Sequence, residues 1–351
     1  MSAVLSSTSS PDDLQQQSEG VWHAAWRRFR ADRVGMASLL VVAAFVLLIV
    51  LAALGLVADR WQDEVAVPNA PPTVMGPAAA QKATTAKAST AANVDLSDID
   101  PLAPRYAEWA ERAKQYQTTQ AVKATTLPFG ADRLGRDVLA KAVKGTEISV
   151  FVGVAAALCA MVIGTLMGAV GGFFGGKVGD FLEWLYNVFE SIPNILLIFA
   201  FAAVVGRGMQ SVVVILALTG WAGMYRQVRA EFIKHASREY VRSAEAIGAS
   251  ASSRMFRHIL PNVSHVILVR TSLLTVAFIK AEVILSYLGL GVRVDQVSWG
   301  TMLAEAQSEL ILGHWWQLAT ATLFMAVFVT AFSLMADALR DALDPKLRGL
   351  E

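Results

Sequence analysis

Long apolar runs alternate with polar breaks over most of this chain, and the run length decides the fold class. A helix needs about 20 apolar residues, rising about 1.5 Å each, to cross a bilayer. Six runs approach that length: residues 34–58, 148–174, 184–206, 208–225, 263–292 and 315–336. The first, second and last carry no charge. The third contains Glu190 and Pro193, and the fifth is interrupted by Arg270, Lys280 and Glu282. The pattern predicts an all-α polytopic membrane protein with about six transmembrane helices and both termini on one side.

The cations choose that side. Arg27, Arg28, Arg30 and Arg33 precede the first run, and Trp22, Trp26 and Phe29 recur beside them at helical spacing. Such a segment reads as an interfacial helix with its aromatic face in the headgroups. Arg226, Arg229, Lys234, Arg238, Arg242, Arg254 and Arg257 follow the fourth run, and Arg340, Lys346 and Arg348 follow the sixth. All three segments share one side in a six-span layout, and the positive-inside rule puts them in the cytoplasm. The expected organisation is a cytoplasmic segment 1–33, a first span 34–58, an extracytoplasmic segment 59–147, a permease core 148–340 containing a cytoplasmic loop 230–262, and a cytoplasmic tail 341–351.

Composition agrees: 55% of the 351 residues are hydrophobic and 17% are charged. A net charge of +1 argues against a nucleic-acid partner. The single cysteine, Cys159, sits in an apolar run and has no partner for a disulfide. The start of the chain does not read as a cleavable signal peptide. Within the long outer segment, residues 65–93 are rich in Ala, Pro, Thr and Lys without periodicity and read as disordered or extended. Residues 100–119 read as a short polar helix carrying Tyr106, Trp109 and Tyr116. It is either a docking surface for an outside protein or part of a spacer.

The most organised polar stretch lies between the fourth and fifth runs. Residues 230–247 have helix-forming composition. Gly248 tolerates the left-handed angles that end a helix, and Ser250 can cap a second short helix to about Arg257. Pro261 is expected to close the loop before the fifth span. The product is a short helix across the membrane surface, pinned at both ends.

That stretch resembles the cytoplasmic coupling loop of binding-protein-dependent ABC importer permeases. Their signature is Glu-Ala-Ala, three residues, Gly, nine residues, then Ile-x-Leu-Pro. The corresponding residues are Arg242, Ser243 and Ala244, then Gly248, then His258, Ile259, Leu260 and Pro261. Arginine thus replaces the family's glutamate, and the charge facing an ATPase is inverted. Three further segments resemble the dipeptide, oligopeptide and nickel branch. They are Phe129-Gly130-Ala131-Asp132-Arg133-Leu134-Gly135-Arg136-Asp137-Val138, Leu285-Ser286-Tyr287-Leu288-Gly289-Leu290-Gly291, and Ser298-Trp299-Gly300-Thr301-Met302-Leu303.

The resemblance implies a type I ABC importer-like fold in a bacterial inner membrane, without a catalytic site. It implies a second permease, two cytoplasmic ATPases that bind the ATP, and an extracytoplasmic solute-binding protein. The expected cargo is a dipeptide or oligopeptide, with nickel or a peptide-like solute as alternatives. Arg242, Ser243, Ala244, Gly248, Ser250, Arg254, Arg257, His258, Leu260 and Pro261 would form the ATPase contact.

Lone charges within the spans need partners or water, because each costs about 2.5–3.5 kcal/mol at the bilayer centre. Glu190, Lys280 and Glu282 would line a wet translocation pathway or form structural pairs. They also leave open a secondary transporter driven by an ion gradient. Pro193 should kink its span. Gly171-Gly172-Phe173-Phe174-Gly175-Gly176-Lys177 lacks the hydroxyl residue of a phosphate loop, and Gly164, Gly168, Gly172 and Gly176 read as a small-residue packing row. The five histidines show no metal-ligand spacing.

Overall fold

The computed structural model describes residues 21–76, 101–115, 123–293 and 295–343, and these are helical apart from turns and isolated β-bridges. The expected low-complexity residues 77–93, Tyr116, and the tail cations Lys346 and Arg348 lie outside the described residues. Helix α1 (Val21–Ala31) is followed by α2 (Arg33–Ala53). Asp32 separates them, and its Oδ1 accepts from the Val34 amide at 2.9 Å, which starts α2. Ala25 and Phe29 of α1 are buried against Ala338 and Ala342, so that face meets protein where headgroup contact was expected. Trp26 stays 53% exposed.

After α2 and the outer helix α3 (Tyr106–Gln115), α4 (Val138–Phe174) runs 37 residues, about 55 Å. It is capped by Asp137, whose Oδ1 accepts from the Leu139 amide at 2.9 Å. Next come α5 (Gly176–Glu190) and α6 (Asn194–Val205), bent 87° from one another. Pro193 stands at the break with φ −52° and ψ 123°. It offers no amide to continue the helix, so the expected kink is a corner.

Helix α7 (Met209–Ala236) leads to α8 (Glu239–Ala246) and the helical turn α9 (Ala251–Ser253). Then follow α10 (Leu260–Tyr287), α11 (Trp299–Ile311) and α12 (Trp316–Leu343). Among the described residues, α2, α4, α7 and α12 are long and apolar enough to cross a membrane, and the bent α5–α6 pair would make five. The expected fifth run lies in α10, which has 28 residues and carries Arg270, Lys280 and Glu282.

The centre of the bundle is α4 packed on α7 and α10. Val152, Ala156, Ala160, Ile215, Leu216, Met224, Val228 and Phe278 form one buried cluster there. The glycine row sets the approach. A Cβ on Gly164 would lie 2.6 Å from Met224 Cβ, one on Gly168 2.8 Å from the Tyr225 carbonyl oxygen, and one on Gly172 2.7 Å from the Arg229 carbonyl oxygen. Backbones this close gain dispersion contacts that larger side chains would block. Gly176 departs from the expected row: nothing lies near it, and it adopts φ +49° in the turn into α5.

At the end where α4 begins, the outer segments knit into a small cap. The Ala66 amide donates to the Gly135 carbonyl at 3.0 Å, Val67 to Ala124 at 2.9 Å, and Ala131 to Ala70 at 2.8 Å. Ala66, Ala70 and Ala131 are buried there, and residues 65–76 take the extended of the two expected forms, held by bridges at Ala66 and Pro72. Their small side chains let backbone meet backbone, a tertiary gain that composition alone does not reveal. The Trp316 indole N–H donates to the Ala131 carbonyl at 2.7 Å and ties the cap to α12.

Candidate functional site

The segment with the expected coupling pattern sits at the opposite end of α4 from the cap. Helix α8 stops at Gly248, whose φ is +86°. The Gly248 amide donates to the Glu245 carbonyl at 2.9 Å and the Ala249 amide to the Ala244 carbonyl at 2.9 Å. This paired closure is a Schellman stop, and glycine makes the left-handed residue cheap. The Ser250 hydroxyl then accepts from the Ser253 amide at 3.3 Å and starts α9.

From there the chain departs from expectation. Pro261 closes no loop. Residues Arg254–Ile259 form a widened π turn, the Leu260 amide donates to the Met255 carbonyl, and helix continues through Tyr287. Pro261 has no amide, and its ring crowds the carbonyl four residues back, so a wider turn fits better than a standard one. The Asn262 side-chain amide donates to the His258 carbonyl at 2.7 Å and satisfies it locally. The segment after Gly248 is therefore a continuous extension of α10, and a push on it reaches the bundle centre along one helix.

The two faces of this arm differ sharply. Val241, Ala244, Met255 and Ile259 are buried, the last fully, against the central core. Leu260 packs partly on that core. Arg242, Ser243, Gly248, Ser250, Arg257 and Pro261 face outward, and His258 is half-buried. Ile247, at the tip, is 86% exposed, and Phe256 is 44% exposed. Arg254 stitches the arm together: its Nη1 lies 2.6 Å from Glu245 Oε1, and its guanidinium sits 5.3 Å above the Phe173 ring at the end of α4. Such exposed contacts contribute about 0.5–1 kcal/mol each, enough to align the arm without locking it. Burial raises the Tyr240 hydroxyl above the usual tyrosine range, and its oxygen lies 2.8 Å from His235 Nδ1.

The cap end holds charges of another kind. Lys141, 1% exposed, places Nζ 2.8 Å from Asp132 Oδ2 and 2.5 Å from Glu305 Oε2. Arg136 Nε reaches the same Asp132 oxygen at 2.7 Å, and Gln317 Nε2 donates to Glu305 at 3.0 Å. Asp132 also accepts from the Leu134 and Arg136 amides through Oδ1, both at 2.9 Å. Burial alone would raise its carboxyl, but Lys141 and Arg136 hold it below the ordinary carboxylate range. Glu309 differs. Burial lifts it above that range, although it accepts from the Arg133 amide at 3.0 Å.

The three expected pathway charges do not come together. Glu190 and Lys280 are exposed. Glu282 is fully buried, its Oε1 accepting from the Ser286 hydroxyl at 2.6 Å; Ser149 and Ser298 lie beside it, and its Oε2 has no hydrogen-bond partner among the described residues. Two residues apart on α10, Lys280 and Glu282 point to opposite faces, as the spacing predicts. Lys280 shares its exposed stripe with Leu273, Ile284 and Tyr287.

Sequence reasoning missed the cap network and the serine cradle. The Asp132-x-x-Gly-Arg spacing carried a signal, since an aspartate two and four residues before free amides makes a local turn. Lys141 with Glu305 carried none, because 164 residues separate them.

Comparison with known proteins adds an independent finding. The family profile "Binding-protein-dependent transport system inner membrane component" matches residues 150–349, and "N-terminal TM domain of oligopeptide transport permease C" matches residues 20–72. The chain is 38% identical to the dipeptide transport system permease protein DppC of Bacillus subtilis, over 63% of this chain and 69% of the relative. It is 36% identical to that organism's oligopeptide transport system permease protein OppC, over 66% of this chain and 78% of the relative. A 28% identity to DppC of Lactococcus lactis extends over 92% of this chain and 90% of the relative.

Proposed function

The chain belongs to the family of binding-protein-dependent transport system inner membrane components, and from that premise we propose that it is a peptide-passing subunit whose exposed arm is driven by an ATPase. Membership makes it a multi-pass inner-membrane permease of an ABC importer. It is not an enzyme, ATP is handled by partners, and solute is delivered by a binding protein. The peptide cargo rests on similarity to relatives named as dipeptide and oligopeptide permeases.

The observation that carries the coupling role is the two-faced arm. Its inner side is anchored in the core by Val241, Ala244, Met255 and Ile259. Its outer side offers Ile247 and Phe256 flanked by Arg242 and Arg257. An isolated apolar tip ringed by cations fits a groove with an acidic rim on a partner. This end carries the arginine-rich loop and would face the cytoplasm, with the end of α12 beside it. Closure of two ATPases on ATP would pull on Ile247, and the unbroken helix from Ala251 would pass that motion to α10. A second permease would cover the part of the exposed α10 stripe from Lys280 to Tyr287, where Lys280 would meet the translocating peptide. Glu282, enclosed by three serines, would hold α10 against α4 and α11 and would not touch cargo.

The test is reconstitution of this chain with a second permease and ATPases in vesicles. Uptake of a dipeptide should require ATP and the binding protein, and nickel uptake should stay at background. Uptake by this chain alone on a proton gradient, without nucleotide, would overturn the proposal.

A further inference from the structure

A pocket of about 440 Å³ opens between α7, α10 and α12 on the side of the arm, and its polar lining is Arg270, Arg340, His265 and Gln227. No acid lines it. Among the described residues, no ion pair joins Arg270 or Arg340 to a carboxylate. Arg270 Nε is buried without a hydrogen-bond partner. The guanidinium lies against the α7 backbone: a Cβ at Gly223 would come 2.6 Å from Arg270 Nη2. Two cations converge here on a space that no carboxylate lines. A charge in that setting is costly unless an anion reaches it.

The level of the pocket identifies the anion's chemistry. Gln227 follows Arg226, where the apolar part of α7 gives way to its charged end, and Arg340 lies where the apolar run of α12 has ended. Both mark headgroup depth. The remaining walls, Val266 and Leu273 among them, are aliphatic. A cationic recess with aliphatic walls between helices at headgroup level suits an acidic phospholipid. We propose that this pocket binds the phosphate of one anionic lipid from the leaflet facing the arm, with Arg270 and Arg340 on the phosphate, Val266 against the headgroup side and an acyl chain along Leu273. The leaflet assignment rests on the orientation proposed above.

The full transporter complex should be purified by detergent exchange from vesicles of phosphatidylglycerol and phosphatidylcholine. The lipid retained should then be counted by native mass spectrometry. The complex should keep about one more phosphatidylglycerol per copy than its R270Q/R340Q variant, with equal phosphatidylcholine. The variant R340K should retain the lipid. Inorganic phosphate at millimolar concentration should fail to displace it; displacement would show that a soluble anion is the ligand and would overturn the lipid assignment. Equal phosphatidylglycerol retention in R270Q/R340Q would overturn the site. So would dissociation of the permease pair without lipid loss, since a partner's carboxylate would then be the occupant. ATP-driven uptake in R270Q/R340Q is a separate readout, so loss of the lipid site leaves the coupling proposal intact.

Discussion

The two ends of this bundle use cations in opposite ways. At the cap end, Lys141 is 1% exposed and bonded to two carboxylates, and Asp132 answers both Lys141 and Arg136. At the arm end, Arg242 and Arg257 face outward, and Arg254 holds a glutamate that is 61% exposed. Closed networks fix geometry, because breaking one partner strands the others away from water. Open, solvated charges cost little to move and are free to meet a partner. The molecule thus pairs a closed clasp at the cap end with an arm suited to being pulled, and the 37-residue α4 connects the two.

The contrast can be broken most forcefully at Lys141. Replacing it with methionine strips the buried Asp132 of its closest buried cation and leaves Arg136, 2.7 Å from Asp132 and 3.8 Å from Glu305, to hold both carboxylates. That should cost about 3–5 kcal/mol. The expected outcome is loss of folded complex, read as a large fall in the midpoint of thermal unfolding in detergent. A complex of ordinary stability would mean that the cap charges are not closed.

Ile247→Asp should act at the other end without touching stability. The residue is 86% exposed, so folding gives up almost no buried area. ATP-driven peptide uptake should fall about tenfold or more, the loss of roughly 1.4 kcal/mol or more of partner binding, while melting stays near the parent value. A parallel loss of stability and uptake would mean that the tip serves the fold.

The smallest expected effect is at Glu309. Burial raises its carboxyl above the ordinary 4.5, so the folded protein holds that proton more tightly than the unfolded chain does. Its ionisation therefore costs stability as pH rises through and above that value. Glu309→Gln keeps an acceptor for the Arg133 amide and removes the charge. The variant should melt higher than the parent at pH 8, and the gap should close toward pH 4.5. A constant gap across that range would place the effect elsewhere.

How much was legible in the chain depended on whether the signal was local. Four apolar runs map onto α2, α4, α7 and α12 because length and uncharged composition suffice. The Gly248 stop, the Ser250 cap and the row from Gly164 to Gly172 were readable because each needs only a few neighbouring residues. The bend at Pro193 was readable as a kink, though its 87° size was not, and the unbroken helix through Pro261 was not readable. The same residue type gave a break in one place and a π turn in the other. The difference lies in what surrounds each: Ser191 and Pro193 are exposed, whereas Met255 and Ile259 are clamped in the core. The site residues divide the same way. The arm follows from sequence spacing, but the solitude of Glu282 among Ser149, Ser286 and Ser298 arises only when α4, α10 and α11 meet.

The central claim is that the arm is gripped by an ATP-hydrolysing partner and moves with it. Its most direct measurement places a cysteine at Ser250 in a Cys159→Ser background and crosslinks it in vesicles actively importing peptide. The account predicts a crosslink to the ATPase whose yield changes between the ATP-bound and nucleotide-free states, and arrest of uptake until the link is cleaved. Full ATP-driven uptake with no ATPase-linked product, or with the link intact, would contradict it.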